Sequence, residues 1–429
     1  MQAFFIFFMG SGQYLCAILY LRDVKEYSLV KLHIFNPEND LALADGNSNY
    51  CPPPAARAIA HDLATLPLWY AGAGDAVLLQ CEQHNLFCNA MNGLFPLALP
   101  LRPGSLREAD TCLPWGWSAQ VKRRLLAMGV SENVLPGDGF IATVRSLSNR
   151  QTAIGLLQSL RDEGIDTPEQ PQYYTSFDDI AQFITSMPRS VLKAPWSGSG
   201  KGIAWGIGRV EVPVEHFCKG VIRRQGGVVC ERFLDKVVDF AMEFKAVQGE
   251  VAFAGYSLFT CDGSAYSGNI LASDAAIEDF LVRFVERAVL QAVKERLSAE
   301  LSARLRPIGY SGYLGVDMLV YRSQGGAFRL YPCVELNLRM NMGAVSRIFY
   351  DRYAACGVTG RFVVANFRNR GEALQFHERC SSEYPLQVCD GRVVSGYLNL
   401  SPVAEDTSYL AYAIVCKGPV SMHELYECK

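Results

Sequence analysis

Residues 315–339 read GVDMLVYRSQGGAFRLYPCVELNLR. Apolar runs over Tyr313–Tyr321 and Phe328–Arg339 flank the turn SQGG, which predicts two strands joined as a hairpin. Successive side chains of a strand point to opposite faces. Glu335, Asn337 and Arg339 therefore share one face, and Leu336, Leu338 and Met340 the other. A turn pivoting near Gly325 or Gly326 sets Asp317 opposite Cys333 or Glu335. Both carboxylates then reach one cation or cation pair, and a line of acid, amide and guanidinium suits a magnesium ion with phosphate ligands.

Upstream lie a long amphipathic helix over Glu278–Leu301 and strands over Val228–Leu234, Asp239–Val247 and Val251–Thr260. Within VVCERFLDKVVDFAMEF, the connector after Glu231 can present backbone groups to a nucleobase, with Asp239 near ribose hydroxyls. Further back, the strand SVLKAPW runs into SGSGKG at 197–202. Glycines let backbone N–H groups approach an anion without Cβ obstruction. The loop is not a Walker A motif, because Pro195 and Gly202 stand where that motif needs Gly and Ser or Thr. Lys193 lies inside an otherwise apolar strand, which is costly unless an anion sits nearby. Before it, NRQTAIGLLQSLRDEG predicts a helix capped at Ser148 and ended by Gly164, and Ser176 caps the next one.

These elements, in this order, resemble the ATP-grasp superfamily over Ser148–Arg347. The opening helix and its IDTP turn, VLKAPWSGSGKGI, ERFL, GVDMLVY and VELNLR are similar to the family's helix, strand lysine with mobile glycine loop, adenine hinge and metal strands. The resemblance implies an α/β fold, an ATP-grasp unit preceded by an open α/β domain. It implies ATP as substrate and Mg²⁺, with Mn²⁺ as a substitute. Lys193 would hold the α- and β-phosphates, and Ser197, Gly198, Ser199, Gly200, Lys201 and Gly202 would close over the β- and γ-phosphates. Arg150 stands where the family usually has a lysine, which keeps the charge and alters its geometry. Glu231 and Leu234 would lie at the adenine and Asp239 at the ribose; Asp317, Glu335 and Asn337 would bind the metal; Arg339, with Lys193, would act in catalysis on the transferred phosphoryl group. The implied reaction activates a carboxylate as an acylphosphate for attack by an amine or thiol. A nucleotide-binding module without turnover and a phosphotransferase are the alternatives.

The expected units are an apolar extension at 1–30, an α/β domain at 31–147, two ATP-grasp subdomains at 148–230 and 231–370, and a strand-rich segment at 371–429. In the first domain KLHIF and DAVLLQ read as strands and Ser118–Met128 as a helix. Its polar loop Asn36, Glu38, Asn39, Asp40, with Asp45 and Asn47 behind it, either meets the substrate or caps its own turns. Arg347 is a further candidate for a substrate carboxylate.

The 429 residues are 50% hydrophobic and 19% charged, which excludes a disordered chain. Forty basic residues against forty-three acidic give a net charge of −3, so no global field gathers nucleic acid. The partners expected are small molecules. Fourteen cysteines without a CxxC pair read as reduced cytosolic thiols, and Cys81, His84 and Cys88 as buried groups rather than a metal site. Ala3–Leu21 carries no charge and reads as an extension upstream of a start at Val30, or as a membrane anchor that leaves the rest in the cytoplasm. Either way it precedes the recognisable fold.

Overall fold

The computed structural model describes residues 31–79, 81–101, 109–198, 202–262, 265–416 and 421–427. The apolar extension and Ser199, Gly200 and Lys201 of the glycine loop lie outside these. Four parallel strands come first: β1 (Lys31–Ile34), β2 (Ala76–Leu78), β3 (Leu99–Leu101) and β4 (Thr111–Pro114), in the order β3-β2-β1-β4. Helices α1 (Asn39–Asp45), α2 (Pro54–Asp62), α3 (Glu82–Asn92), α4 (Ala119–Ala127) and α5 (Asp138–Leu147) accompany them. Both faces of the sheet are covered, as parallel strands require. Leu32, Ile34, Ala76 and Leu78 enter one apolar core, while Val77 and Leu79 enter a second.

Next come α6 (Arg150–Asp162) and a small antiparallel sheet. Its strands are β5 (Gln172–Tyr174), β6 (Ser190–Lys193), β7 (Ile203–Gly206) and β8 (Val228–Arg232), ordered β5-β8-β6-β7, with α7 (Phe177–Thr185) and α8 (Val212–Gln225) on it. The cap of α6 is Asn149, whose side chain accepts from the Gln151 N–H, while the expected cap Ser148 ends α5. The two helices meet without a gap, so only one residue is free to take the extended cap conformation.

Two residues, Phe233 and Leu234, lead into a nine-stranded antiparallel sheet. It contains β9 (Asp235–Val247), β10 (Glu250–Asp262), β11 (Ala265–Leu271), β12 (Gly312–Arg322), β13 (Phe328–Asn337), β14 (Thr359–Asn366), β15 (Gln387–Cys389), β16 (Arg392–Asn399) and β17 (Tyr409–Cys416). Their order is β13-β12-β9-β10-β11-β14-β17-β16-β15. The single helix expected over Glu278–Leu301 is two, α9 (Asp274–Leu281) and α10 (Arg287–Leu305). Arg287 pairs with both Glu278 and Asp279, a return of eight to nine residues that one straight helix cannot make. Helices α11 (Met342–Tyr353), α12 (Glu372–Glu383) and α13 (Met422–Glu427) complete the chain.

The second core joins parts distant in sequence. Leu66, Trp69 and Phe95 of the first unit pack with Phe349 and Tyr353 of α11 and with Leu398, Leu400, Ala411 and Ala413 at the far end of the large sheet. The Trp69 indole donates to the Leu400 carbonyl at 2.8 Å. Among the described residues no helix is long and apolar enough to cross a membrane, and the cysteines are free.

Candidate active site

Asp317 and Glu335 are cross-strand partners on β12 and β13. Of the two registers the turn permits this is the second, because a bulge between Asp317 and Leu319 shifts the pairing by two residues. Asp317 is held well above the usual carboxylate range, first by burial and then by the Glu335 charge, while Asn337, Arg339 and Arg150 pull the other way. Two acids and an amide oxygen form a hard, all-oxygen donor set, and their mutual repulsion is what a divalent cation relieves. Magnesium fits these residues.

Arg150, buried at the first turn of α6, binds three parts of the chain together. Its guanidinium donates to Glu335 at 2.7 Å, to the Ala194 carbonyl at 2.9 Å and to the Ser197 hydroxyl at 2.9 Å. The buried Lys193 pairs with Glu231, whose second oxygen accepts from the Tyr331 hydroxyl at 3.0 Å. The anion that answers this lysine is thus the protein's own. On either side of the Arg150–Glu335 pair lies a gap. One is lined by Arg150, Pro171, Lys193, Glu231, Tyr331 and Cys333. The other is lined by Asp40, Trp196, Ser197, Glu335, Asn337 and Arg339.

Asp40 enters from the first unit. It takes the Arg339 guanidinium in a two-point pair, Nε to Oδ1 at 2.8 Å and Nη2 to Oδ2 at 2.6 Å. Gly198 is packed against it, since a Cβ there would lie 2.6 Å from Asp40 Oδ2. Gly202 closes the described part of the loop by accepting from the Ala194 N–H at 2.8 Å. The polar loop therefore divides. Asp40 reaches the site, while Asp45 and Asn47 accept from backbone N–H groups two residues ahead and stay exposed.

Asp239 pairs with Leu319, two residues along from Asp317 on the same face. Lys236 meets its carboxylate at 2.5 Å and the Tyr426 hydroxyl accepts from its N–H at 2.9 Å. Leu234 is partly buried against the large core. Arg347 is not part of the site: it is buried beside Asp274 and Asp351, with a bond to the Ala272 carbonyl at 2.6 Å.

Glu243 was not anticipated. It lies under the start of α11, fully buried, and accepts from the Asn341 amide at 2.8 Å. Burial pushes its carboxyl up to about 8, with Asp317 adding to the rise and Asn341 and Arg339 opposing it. Also unforeseen are unsatisfied buried polar atoms behind Asp40. Glu38 Oε2, both Asn39 amide atoms, Gln120 Oε1 and two Arg124 nitrogens have no hydrogen-bond partner among the described residues. Glu38 and Arg124 meet through their other atoms at 3.2 Å.

The chain is similar to a solved structure, the biotin carboxylase–βγ-ATP complex from Campylobacter jejuni. The TM-score is 0.50 at 11% identity, over 92% of this chain and 89% of that one. The chain has the ATP-grasp fold. Also similar are N5-carboxyaminoimidazole synthetase from Staphylococcus aureus complexed with ADP (TM-score 0.48, 11% identity, 90% and 93% covered) and L-amino acid ligase from Bacillus licheniformis (0.45, 12%, 92% and 96%). No family model and no curated protein matches the sequence. In this chain the small sheet with its glycine loop faces the first part of the large sheet, and Arg150 bridges the two.

Proposed function

We propose that the chain is an ATP-dependent, ADP-forming ligase that activates a small carboxylic acid as an acylphosphate for attack by an amine or thiol. One observation carries this reading: Arg150, Ser197, Glu335, Asn337, Arg339 and Asp40, drawn from three units, line or bridge the same gap. Support comes also from the fold, since the biotin carboxylase it resembles was solved with βγ-ATP.

In this reading ATP lies between the two sheets, with adenine near Glu231 and Leu234, ribose at Asp239, and phosphates toward Lys193, Arg150 and Ser197 to Gly202. The acid's oxygen attacks the γ-phosphorus and ADP leaves. The amine nitrogen then attacks the acyl carbon, phosphate departs, and an amide remains. The protein's work is placement and charge neutralisation. A magnesium ion held by Asp317, Glu335 and Asn337 would offset phosphate charge. Asp40 holds Arg339 through Nε and Nη2 while Nη1 donates to the Met340 carbonyl, which fixes the guanidinium plane and its charge beside the transferring group. The unsatisfied polar atoms of Glu38, Asn39, Gln120 and Arg124 are suited to a small polar acid or amine entering from the first unit. We place the enzyme in the cytoplasm, with no nucleic-acid or membrane partner.

Purified protein given MgATP and a panel of acids and amines should release ADP and phosphate in equal amounts, only when both substrates are present. Glu335→Ala should reduce turnover by about a hundredfold or more. Calorimetric ATP binding with no turnover on any pair would instead mark a nucleotide-binding module. A stable phosphorylated product formed without amine would mark a phosphotransferase.

A further inference from the structure

A second group of metal-ligating side chains lies in the first unit, sharing no residue with the site above. His61, from the end of α2, and Cys81 and His84, flanking the start of α3, bring three ligand atoms within 4.8 Å of one another. Cys88 is not among them: it lies one turn further along α3, against Asn92 and the Ala98 carbonyl. The sequence showed the Cys-x-x-His half, and the fold supplies the missing histidine.

Three independent features point to a ligand here. First, His84 is 1% exposed, yet neither ring nitrogen makes a hydrogen bond of normal geometry among the described residues. Its contact with the His61 backbone falls short of normal hydrogen-bond geometry, and a buried imidazole so weakly partnered is costly, so a metal ion is one of the few groups that would repay both its burial and its orientation. Second, Cys81 occupies the cap position of α3 but its side chain makes no capping bond, so the sulfur is free for another use. Third, the histidine at the surface is already oriented. His61 Nδ1 meets Asp62 Oδ1 at 3.0 Å, leaving Nε2 as the lone-pair nitrogen. Asp62 is itself fixed, its other oxygen accepting from the Ser408 and Tyr409 N–H groups at 2.8 and 2.9 Å. A carboxylate holding the far nitrogen of a ligating histidine is the usual outer support of a zinc site.

We propose that His61, Cys81 and His84 form a Zn²⁺ site with a fourth position open to water. Two imidazoles and a thiolate suit a borderline-soft ion and exclude Mg²⁺, which takes oxygen. Tetrahedral zinc with bonds of roughly 2.0–2.3 Å places its ligand atoms roughly 3.3–3.8 Å apart, so the present spacing contracts by about 1 Å on binding. The exposed His61 ring has room to supply that movement. The bound ion would join α2 to α3 and, through Asp62, to the first residues of β17.

The experiment uses the full chain, stripped with chelator and titrated separately with Co²⁺ and Zn²⁺. Co²⁺ should develop a thiolate-to-metal charge-transfer absorption at one equivalent, and Zn²⁺ should displace it. Cys81→Ser and His61→Ala should abolish the band, whereas Cys88→Ser and Glu335→Ala should keep it. His61→Ala removes an exposed ring, so folding is preserved, and Zn²⁺ binding should weaken by more than the roughly 10–100-fold that loss of an outer support costs. Zn²⁺ should raise the melting temperature of the wild type and not that of His61→Ala. Absence of the thiolate band, its survival in both ligand variants, or unchanged Zn²⁺ affinity in His61→Ala would overturn the site.

Discussion

Glu243 shows what a single buried acid imposes on the protein. In the unfolded chain it titrates near 4.5, and in the folded protein near 8. Below both values the carboxyl is protonated in either state and contributes no pH dependence. Between them the unfolded chain releases a proton that the folded one retains, so stability falls as pH rises, by about 1.4 kcal/mol per pH unit at most. Chemical denaturation of metal-free protein from about pH 5 to pH 8 should show this slope. Glu243→Gln should flatten it and raise stability at the alkaline end; equal slopes in the two proteins would refute the assignment. Asp317 contributes in the same direction, and comparing the variants isolates Glu243. Lys193 was legible in the sequence as a charge inside an apolar strand, and the same reasoning applied to DFAMEFKAV finds Glu243 between Met242 and Phe244. The Asp40–Arg339 pair was not legible, because 299 residues separate its partners and no local pattern joins them.

At the level of elements, hairpins and the Ser176 cap were readable because turn chemistry and side-chain period are local, whereas the cap of α6 was expected one residue early, at Ser148. The break between α9 and α10 was not, since it depends on Arg287 finding acids on the preceding helix. The register of the β12–β13 hairpin was readable only to two choices, and a bulge made the selection. Two glycines allow tests. Gln248 and Gly249 have φ of 51° and 83°, the mirror-image turn that matches strand twist between β9 and β10. A Cβ on Gly249 would also lie 2.3 Å from the Arg306 Cα. Gly249→Ala should therefore cost on the order of 2 kcal/mol or more, measured by urea denaturation. Gly198→Ala instead sets a methyl against Asp40, so it should lower kcat by about tenfold while leaving the melting temperature near that of the wild type. Asp40→Ala should make the second substitution nearly silent, and full additivity of the two would exclude contact between loop and aspartate.

Across the whole molecule, the small sheet and its two helices have a core of their own, with Ile180, Leu192, Cys218 and Val228, whereas the first unit and the end of the chain share one. The strand-rich segment from residue 371 contributes β16, β17 and Leu400 between them, and Leu398, Leu400, Ala411, Ala413 and Val415 pack with Trp69 and Phe95 of the first unit. Each of the two leucines and the valine is worth roughly 1.5–3 kcal/mol when buried. Together these three are comparable with the roughly 5–15 kcal/mol by which a domain is stable. A chain ending at residue 370 should not fold, as judged by loss of a cooperative melt and of near-UV circular dichroism. A cooperative melt in that chain would show the second core to be dispensable. The strand pair itself was readable, but its place beside β14 was not, because only long-range pairing fixes it.

The second core has a further consequence for how this protein can be recombined with others. The unit carrying Asp40, Glu38 and Arg124 is sealed to α11 and the last strands through Trp69, Leu400 and their neighbours. It is therefore not a cassette, and a chimaera that imports this unit from another protein of the same fold would have to import half a core with it. Under the proposed function, directed evolution of specificity should begin with point substitutions on the loop after β1 and on α4.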